Sequence, residues 1–325
     1  MAITRRGLIG AASAILVAPS STRAQSPPLA RIICGFPAGG TADATARHAA
    51  ELWRGKLAAS VIVENRVGAA GRLAVTAVKD AAGDGSILLL SPESMFTIHA
   101  SVYRKLGYDP DKDITPVSPI SRFAFALGIG PGVPGTVKTL ADFVQWAKAN
   151  GDKISYGSPA AGSMPHFLGD GFFRAIGSGA RHAPYRGSAP ALQDLVGGHV
   201  PAVMTVLGDF LPFKASPGLR ILAVSDKARS RFLPDVPTFT ELGFPNVSGV
   251  ETYGIFLPGK SPEALIARVQ ELVGEAVAQK DMIASLALIG MEPASLTAAE
   301  YRAYLARERA QWAPIVKQSG FSLDE

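Results

Sequence analysis

Three short segments gather the residue types that hold anions. The first is Phe36-Pro37-Ala38-Gly39-Gly40-Thr41-Ala42-Asp43. Its two glycines let a ligand approach the backbone closely, and Thr41 stands where a residue caps a following helix. The free N–H groups and positive dipole end of such a helix suit an anion. A tight turn with an ordinary cap accounts for the same residues equally well. The second segment is Tyr156-Gly157-Ser158-Pro159-Ala160-Ala161-Gly162-Ser163-Met164-Pro165-His166. It offers the hydroxyls of Ser158 and Ser163, two glycines and His166. No metal-ligand companion accompanies His166 at the usual spacing, so a structural histidine is its first reading. The third segment, Pro184-Tyr185-Arg186-Gly187-Ser188-Ala189-Pro190, sets a phenol and a guanidinium before another helix start. Arg186 suits bidentate pairing with a carboxylate; a surface salt bridge is the alternative.

Other chemistries lack their residues. There is no H-E-x-x-H, no G-x-S-x-G and no Walker loop. Gly130-Pro131-Gly132-Val133-Pro134-Gly135 matches G-x-G-x-x-G formally, but two prolines and a gap before the next helix make it a turn. Asp43, Glu64, Asp80, Asp84 and Glu93 show no paired spacing for acid–base work. Residues 124–225 carry no glutamate, and their eight Lys/Arg against five Asp leave +3, which suits an anionic ligand. Neither a catalytic set nor a metal or cofactor site is expected.

Alternating elements position the three segments. Arg31–Gly35, Val61–Val63 and Ile87–Leu90 read as strands, with helices at Ala42–Leu57 and Leu73–Ala82 between them. Continuous apolar runs joined by helices indicate a parallel sheet covered on both faces, so residues 30–90 read as βαβαβ. A second unit follows. Its strands are expected at 123–129, 154–157, 181–184, 200–205 and 219–224, and its helices at 139–150, 166–176 and 190–196. The last of these strands is expected to return towards the first unit. A proline-marked loop region comes next, and then a mostly helical end. There Ser261-Pro262 reads as a cap with proline at the first helical position, and Thr297–Glu300 as a capping box. The whole is α/β: two lobes, with the chain crossing between them at least twice.

The chain has 325 residues, 47% of them hydrophobic and 18% charged, enough for two domains with a sizeable core. The start adds to the mean hydropathy of +0.20. Arg5 and Arg6 precede an apolar run, Leu8–Val17, and Thr22-Arg23-Ala24 fits a signal peptidase site. Residues 1–24 therefore read as an export signal, and Thr4–Leu8 also resembles a twin-arginine signal. Ten apolar residues are too few to span a bilayer, which takes about 20. Without this leader, 29 basic and 27 acidic residues remain, a balance of +2 rather than +5. No Lys/Arg run marks a nucleic-acid face. Cys34, the only cysteine, excludes an intrachain disulfide and reads as a small buried hydrophobe.

Taken in order, these segments resemble the tripartite tricarboxylate transporter substrate-binding proteins, the Bug-type receptors. The resemblance runs over the mature chain. It rests on residues 36–43 with Ala46-Arg47, Val63-Glu64-Asn65-Arg66, Gly68–Gly71, Asp84-Gly85 and Pro184–Leu192. Further marks are Leu195–Gly198, Leu222–Val224, Pro234–Thr238, Glu241–Gly243 and Leu257-Pro258. It implies a periplasmic receptor with a type II binding-protein fold. Lobe 1 would comprise residues 25–123 plus 226–325, and lobe 2 residues 124–225. The lobes would close over a small organic carboxylate and deliver it to the permease subunits of the transporter. A sensor for a carboxylate is the first alternative. An enzyme using His166 with Ser158 or Ser163 is the second.

The resemblance implicates Ala38, Gly39, Gly40, Thr41, Asp43 and Ser91 on the lobe-1 side. On the lobe-2 side it implicates Ser158, Ser163, His166, Tyr185, Arg186 and Gly187. It also implies a monomer without nucleic-acid partners. The chain departs from the family pattern at Pro201, at Val206 and at Thr252-Tyr253-Gly254, where a tryptophan is usual. Asp209 either replaces the family's aspartate near Val206 or caps the next helix.

Overall fold

The computed structural model describes residues 27–324. The expected export signal lies outside the described residues. In chain order the strands are β1 (Leu29–Cys34), β2 (Ser60–Asn65), β3 (Ile87–Pro92), β4 (Ile114–Ile129), β5 (Ser155–Ser158), β6 (Arg181–Pro184), β7 (Ala202–Val206), β8 (Arg220–Val224), β9 (Val250–Pro258) and β10 (Glu292–Pro293). The helices are α1 (Thr41–Trp53), α2 (Arg72–Lys79), α3 (Ser94–Thr97), α4 (His99–Val102), α5 (Leu140–Asn150), α6 (Met164–Ala175), α7 (Ser188–Val196), α8 (Leu207–Phe210), α9 (Glu263–Ala278), α10 (Lys280–Leu288) and α11 (Ala298–Ser319). Among the described residues, no helix is long and apolar enough to cross a membrane.

The strands follow the order β2-β1-β3-β9-β4-β7-β5-β6, with β8 and β10 also on β4. β1 pairs in parallel with β2 and β3, and β5 in parallel with β6 and β7. These outer parts are the expected βαβ units; β1, β3, β5 and β7 are mostly buried, while the edge strands β2 and β6 are largely half-exposed. The centre is antiparallel instead. β9 lies between β3 and β4, and β4 also pairs antiparallel with β7 and β8.

The molecule is two-lobed, and β4 is shared by both lobes. Its Ile114–Ala124 part pairs with β9, while Phe125–Ile129 pairs with β7. The strand is far longer than the expected 123–129. Pro116 and Pro119 lack the N–H that a ladder needs, and the register shifts beside each of them. That irregularity hid the first half of the strand. β8, expected to return to the first unit, stays with the second lobe on β4.

The chain recrosses after β8, and the crossings are tied together. Phe125 N–H donates to Ser225 Oγ at 2.9 Å, and that hydroxyl donates to the Gly249 carbonyl at 2.6 Å. Arg122 joins Asp226 and Glu292 at 2.8 and 2.7 Å. The C-terminus of α11 reaches the second lobe, where the Arg174 guanidinium donates to the Ser319 carbonyl at 2.6 Å.

Two capping boxes form as their sequences require: Thr139 with Asp142, and Thr297 with Glu300. Two other caps differ from expectation. Gly40, not Thr41, is the N-cap of α1, which frees the Thr41 side chain for the cleft. α9 starts at Glu263 after Pro262, and the Ser261 hydroxyl is buried without a partner instead of capping. The first lobe is locked by Trp53, whose indole N–H donates to the Leu272 carbonyl of α9 at 3.1 Å. The second is filled by Phe143, Tyr156, Phe172 and Phe173.

Candidate functional site

A small cavity lies between the lobes where three helix N-termini converge. Gly40, Thr41 and Ala42 open α1, Ser163 precedes α6, and Gly187, Ser188 and Ala189 open α7; all line it. Each helix is long enough for its aligned peptide dipoles to favour negative charge at this end. The walls are apolar: Phe36, Pro37, Met95, Phe123, Phe125 and Pro159 among others. No lysine or arginine lines this cavity. An anion here meets no lysine or arginine, and backbone N–H groups and hydroxyls are the main donors on the helix-terminal side.

Several glycines stand where the lobes touch, Gly187 and Gly208 among them. Gly187 has φ +112°, which L side chains rarely adopt, and a Cβ there would lie 2.9 Å from Pro37 Cδ. A Cβ on Gly208 would overlap the Ile289 carbonyl, so α8 also lies directly against the first lobe. Beside these contacts, Thr41 N–H donates to Asp209 Oδ1 at 3.0 Å. The Thr41 hydroxyl meets the Tyr253 hydroxyl at 3.2 Å. Asp209 thus faces the cleft and joins the lobes, whatever it does for α8. Burial raises its pKa against the hydrogen bonds from Ser188 and Thr41 that lower it. Burial and the Asp209 charge hold the Tyr253 phenol well above its usual range, so it stays protonated.

The inner end of the cavity is polar. Glu251 lines it, and its Oε1 accepts from Ser94 N–H at 2.8 Å. Behind it, Glu93 is fully buried; its Oε2 accepts from the Thr252 N–H at 3.1 Å and from the Thr252 hydroxyl. The Tyr304 hydroxyl donates to the other Glu93 oxygen at 2.9 Å. Burial pushes Glu251 up to about 7, and burial plus the Glu251 charge pushes Glu93 well above the carboxylate range. His99 lines the same cavity, and its Nδ1 is buried with no hydrogen-bond partner.

The expected site residues divide into three groups. Gly40, Thr41, Ser163, Gly187 and Asp209 line the inner cavity. Tyr185 and Arg186 line a wider outer cavity instead, with Gly187 shared and Arg72 opposite. The Tyr185 hydroxyl turns back to Asp194 at 2.9 Å. Arg186 is exposed and makes no salt bridge among the described residues, and Arg72 stacks 4.0 Å over the Tyr103 ring.

The rest shape the loops. Asp43 accepts from Gly39 N–H, Arg47 and Asn65 at 2.8–3.1 Å, fixing the 36–43 turn that carries Ala38 and Gly39. Burial raises the Asp43 pKa, but these donors outweigh it and hold the carboxylate below its usual value. Ser91 is buried and donates to the Pro92 carbonyl at 3.1 Å. Ser158 is fully buried against His182 Nε2 at 2.7 Å. His166 Nδ1 accepts from Gly162 N–H at 3.1 Å, and its ring stacks on His182 with centroids 3.8 Å apart. His166 therefore pairs with neither Ser158 nor Ser163; Ser163 donates to the Ala160 carbonyl at 2.7 Å.

Sequence reasoning missed Glu251, His99, Ser94 and the aromatic wall. One signal was available. Glu251 is a lone acid four residues before the apolar run that begins at Ile255, on β9, for which the sequence reading gives no strand.

The family model described as "Tripartite tricarboxylate transporter family receptor" matches residues 45–321. The chain belongs to this family. It is 30% identical over 313 residues to protein BugT of Bordetella pertussis, covering 96% of this chain and 95% of that protein. Solved structures of the receptor family superimpose closely. The periplasmic binding protein BugD is 26% identical with a TM-score of 0.84, covering 90% of this chain and 98% of BugD. The R. palustris protein Rpa4515, solved with adipate, is 27% identical with a TM-score of 0.85, at 90% and 98% coverage. MatC from Rhodopseudomonas palustris, solved with malate, is 26% identical with a TM-score of 0.80, at 89% and 98% coverage. The two-lobed architecture is thus that of the periplasmic binding proteins of this receptor family.

Proposed function

We propose that this receptor captures a small organic carboxylate between its lobes and delivers it to the membrane subunits of a tripartite-type transporter. The observation that carries the reading is the convergence of the α1, α6 and α7 N-termini on one cavity free of cationic side chains. With the Thr41 N–H of α1 already given to Asp209, the α6 and α7 N-termini and nearby hydroxyls supply the fixed donors for a carboxylate without a buried ion pair, and closure excludes water from the site. The carboxylates held by Rpa4515 and MatC support the ligand class. In this reading residues 1–24 direct export to the periplasm and the mature protein acts as a monomer. Residues 25–123 with 226–325 form lobe 1, and 124–225 form lobe 2.

A thermal-shift screen of mono-, di- and tricarboxylates tests the reading. A ligand at about 100 times its Kd stabilises the folded state by roughly 2.7 kcal/mol. No shift from any carboxylate at millimolar concentration rejects it.

A further inference from the structure

We propose that His99 and Glu251 form a recognition subsite for a neutral hydroxyl group, which selects hydroxy-monocarboxylates over dicarboxylates. The proposal rests on the carboxylate-receptor reading and deepens it. Two observations carry it together. His99 is 1% exposed, lines the cavity, and its Nδ1 has no partner. A buried polar atom left unpaired costs free energy, and a ligand that supplies the missing partner recovers it. Glu251, 3% exposed, lines the same cavity with one oxygen held by Ser94.

The pair suits a hydroxyl. Burial keeps His99 neutral, its pKa pushed down to about 3, so its ring presents one donor and one acceptor. A hydroxyl group is both donor and acceptor, and can answer an imidazole nitrogen and a carboxyl oxygen at once. A second ligand carboxylate meets the opposite conditions. No lysine or arginine lines the cavity to receive it. Glu251, Glu93 behind it and Asp209 across the cavity are all acids. Another negative charge in this buried place is repelled by each of them that is ionised. Between the two ends, Phe36, Phe123, Phe125 and Tyr253 offer only an apolar body its contacts.

Two matched series test the assignment by calorimetric titration. One is 4-hydroxybenzoate, benzoate and benzene-1,4-dicarboxylate. The other is 6-hydroxyhexanoate, hexanoate and adipate. In at least one series the hydroxyl member is expected to bind about tenfold or more tighter than both others, as sites built around a hydroxyl discriminate against its loss. The variants His99→Leu and Glu251→Gln are each expected to shrink that preference at least about fivefold, chiefly by weakening the hydroxyl member. Circular dichroism checks that each variant is folded.

A dicarboxylate binding as tightly as its hydroxyl partner in both series overturns the subsite but leaves the receptor reading intact. So does a hydroxyl preference unchanged in both folded variants. Failure of both series, when the wider carboxylate screen gives a ligand, likewise overturns only the subsite. Failure of both series and of the wider screen overturns both readings.

Discussion

Thr41 and Asp209 are 168 residues apart and joined by one hydrogen bond across the cleft, from a helix-terminal N–H to a carboxylate at 3.0 Å. The protein's own acid thus occupies the N-terminus of α1, a place that would otherwise suit an anion. Asp209→Ala removes the link, and ligand binding is expected to weaken about tenfold, the scale of one hydrogen bond to a charged group. Asp209→Asn keeps an acceptor oxygen and is expected to recover most of the loss. Equal affinities for wild type and both variants, by titration calorimetry, would remove Asp209 from the binding mechanism.

Gly187 gives a steric test of lobe contact. A methyl group there meets Pro37 and has to adopt φ +112°. Gly187→Ala is expected to lower stability by about 1–3 kcal/mol, the usual cost of such strain. Ligand affinity should fall with it, because the two loops are pushed apart. A denaturant midpoint and a Kd both equal to wild type contradict the close approach.

Arg186 belongs to the outer cavity, is exposed, and is free of salt bridges among the described residues. Its charge acts on approach more than on the bound state, because exposed charges mainly steer encounter. Stopped-flow measurements on Arg186→Ala should show a severalfold slower on-rate at low salt and a weaker salt dependence. The melting temperature should stay put. An unchanged on-rate with a raised off-rate would move Arg186 into the ligand's contact shell.

Acid stability follows from buried histidines. Burial pushes His166 down to about 4, and His99 and His182 down to about 3, from an ordinary 6.5. The charge of Arg174 adds to the shift at His166, and His166 to that at His182. Below pH 6.5 the unfolded chain takes up protons that the folded imidazoles refuse. The unfolded state therefore gains, and stability is lost as pH falls towards 4, by about 1.4 kcal/mol for each unit of pKa displacement realised. Glu251, raised to about 7, acts the other way, its contribution being lost as pH rises from 4.5 to 7. Chemical denaturation from pH 7 to 4 should show the histidine limb, flattened in His166→Gln/His182→Gln. An unchanged slope in that double variant would rule out these two rings as its source.

Much of the scaffold was legible because local signals and tertiary structure agree. The expected strand at 61–63 is the middle of β2, the helix ending at Asn150 does stop at Gly151, and the Thr297 capping box starts α11. The three loops chosen for their glycines and hydroxyls do meet around cavities. The inner end was not legible. Glu251 comes from β9 and His99 from the start of α4, beyond β3 and α3, and the antiparallel pairing of β3 with β9 brings those parts together. Long-range pairing of that kind leaves no spacing rule in the chain. Ser158 and His166 are a different case: the resemblance implies a ligand role for both, a structural histidine is the first reading of His166 from the residues alone, and loop contacts hold both side chains internally.

The shared strand also bears on how such a receptor can move. At Ala124–Phe125 the backbone of β4 leaves the β9 ladder and enters the β7 ladder without interruption. Ser225 clasps that same point to the second crossing. A continuous strand flexes and twists at low cost, but sliding it past its neighbours would break a whole ladder at once. On the receptor reading, closure is therefore expected as a turn about a common spine rather than a shear. Such rotation carries the distant tips of the loops much farther than the residues beside the spine. Cavity walls next to β4, Phe123 and Phe125 among them, would then keep nearly constant shape while the mouth opened and closed like a jaw.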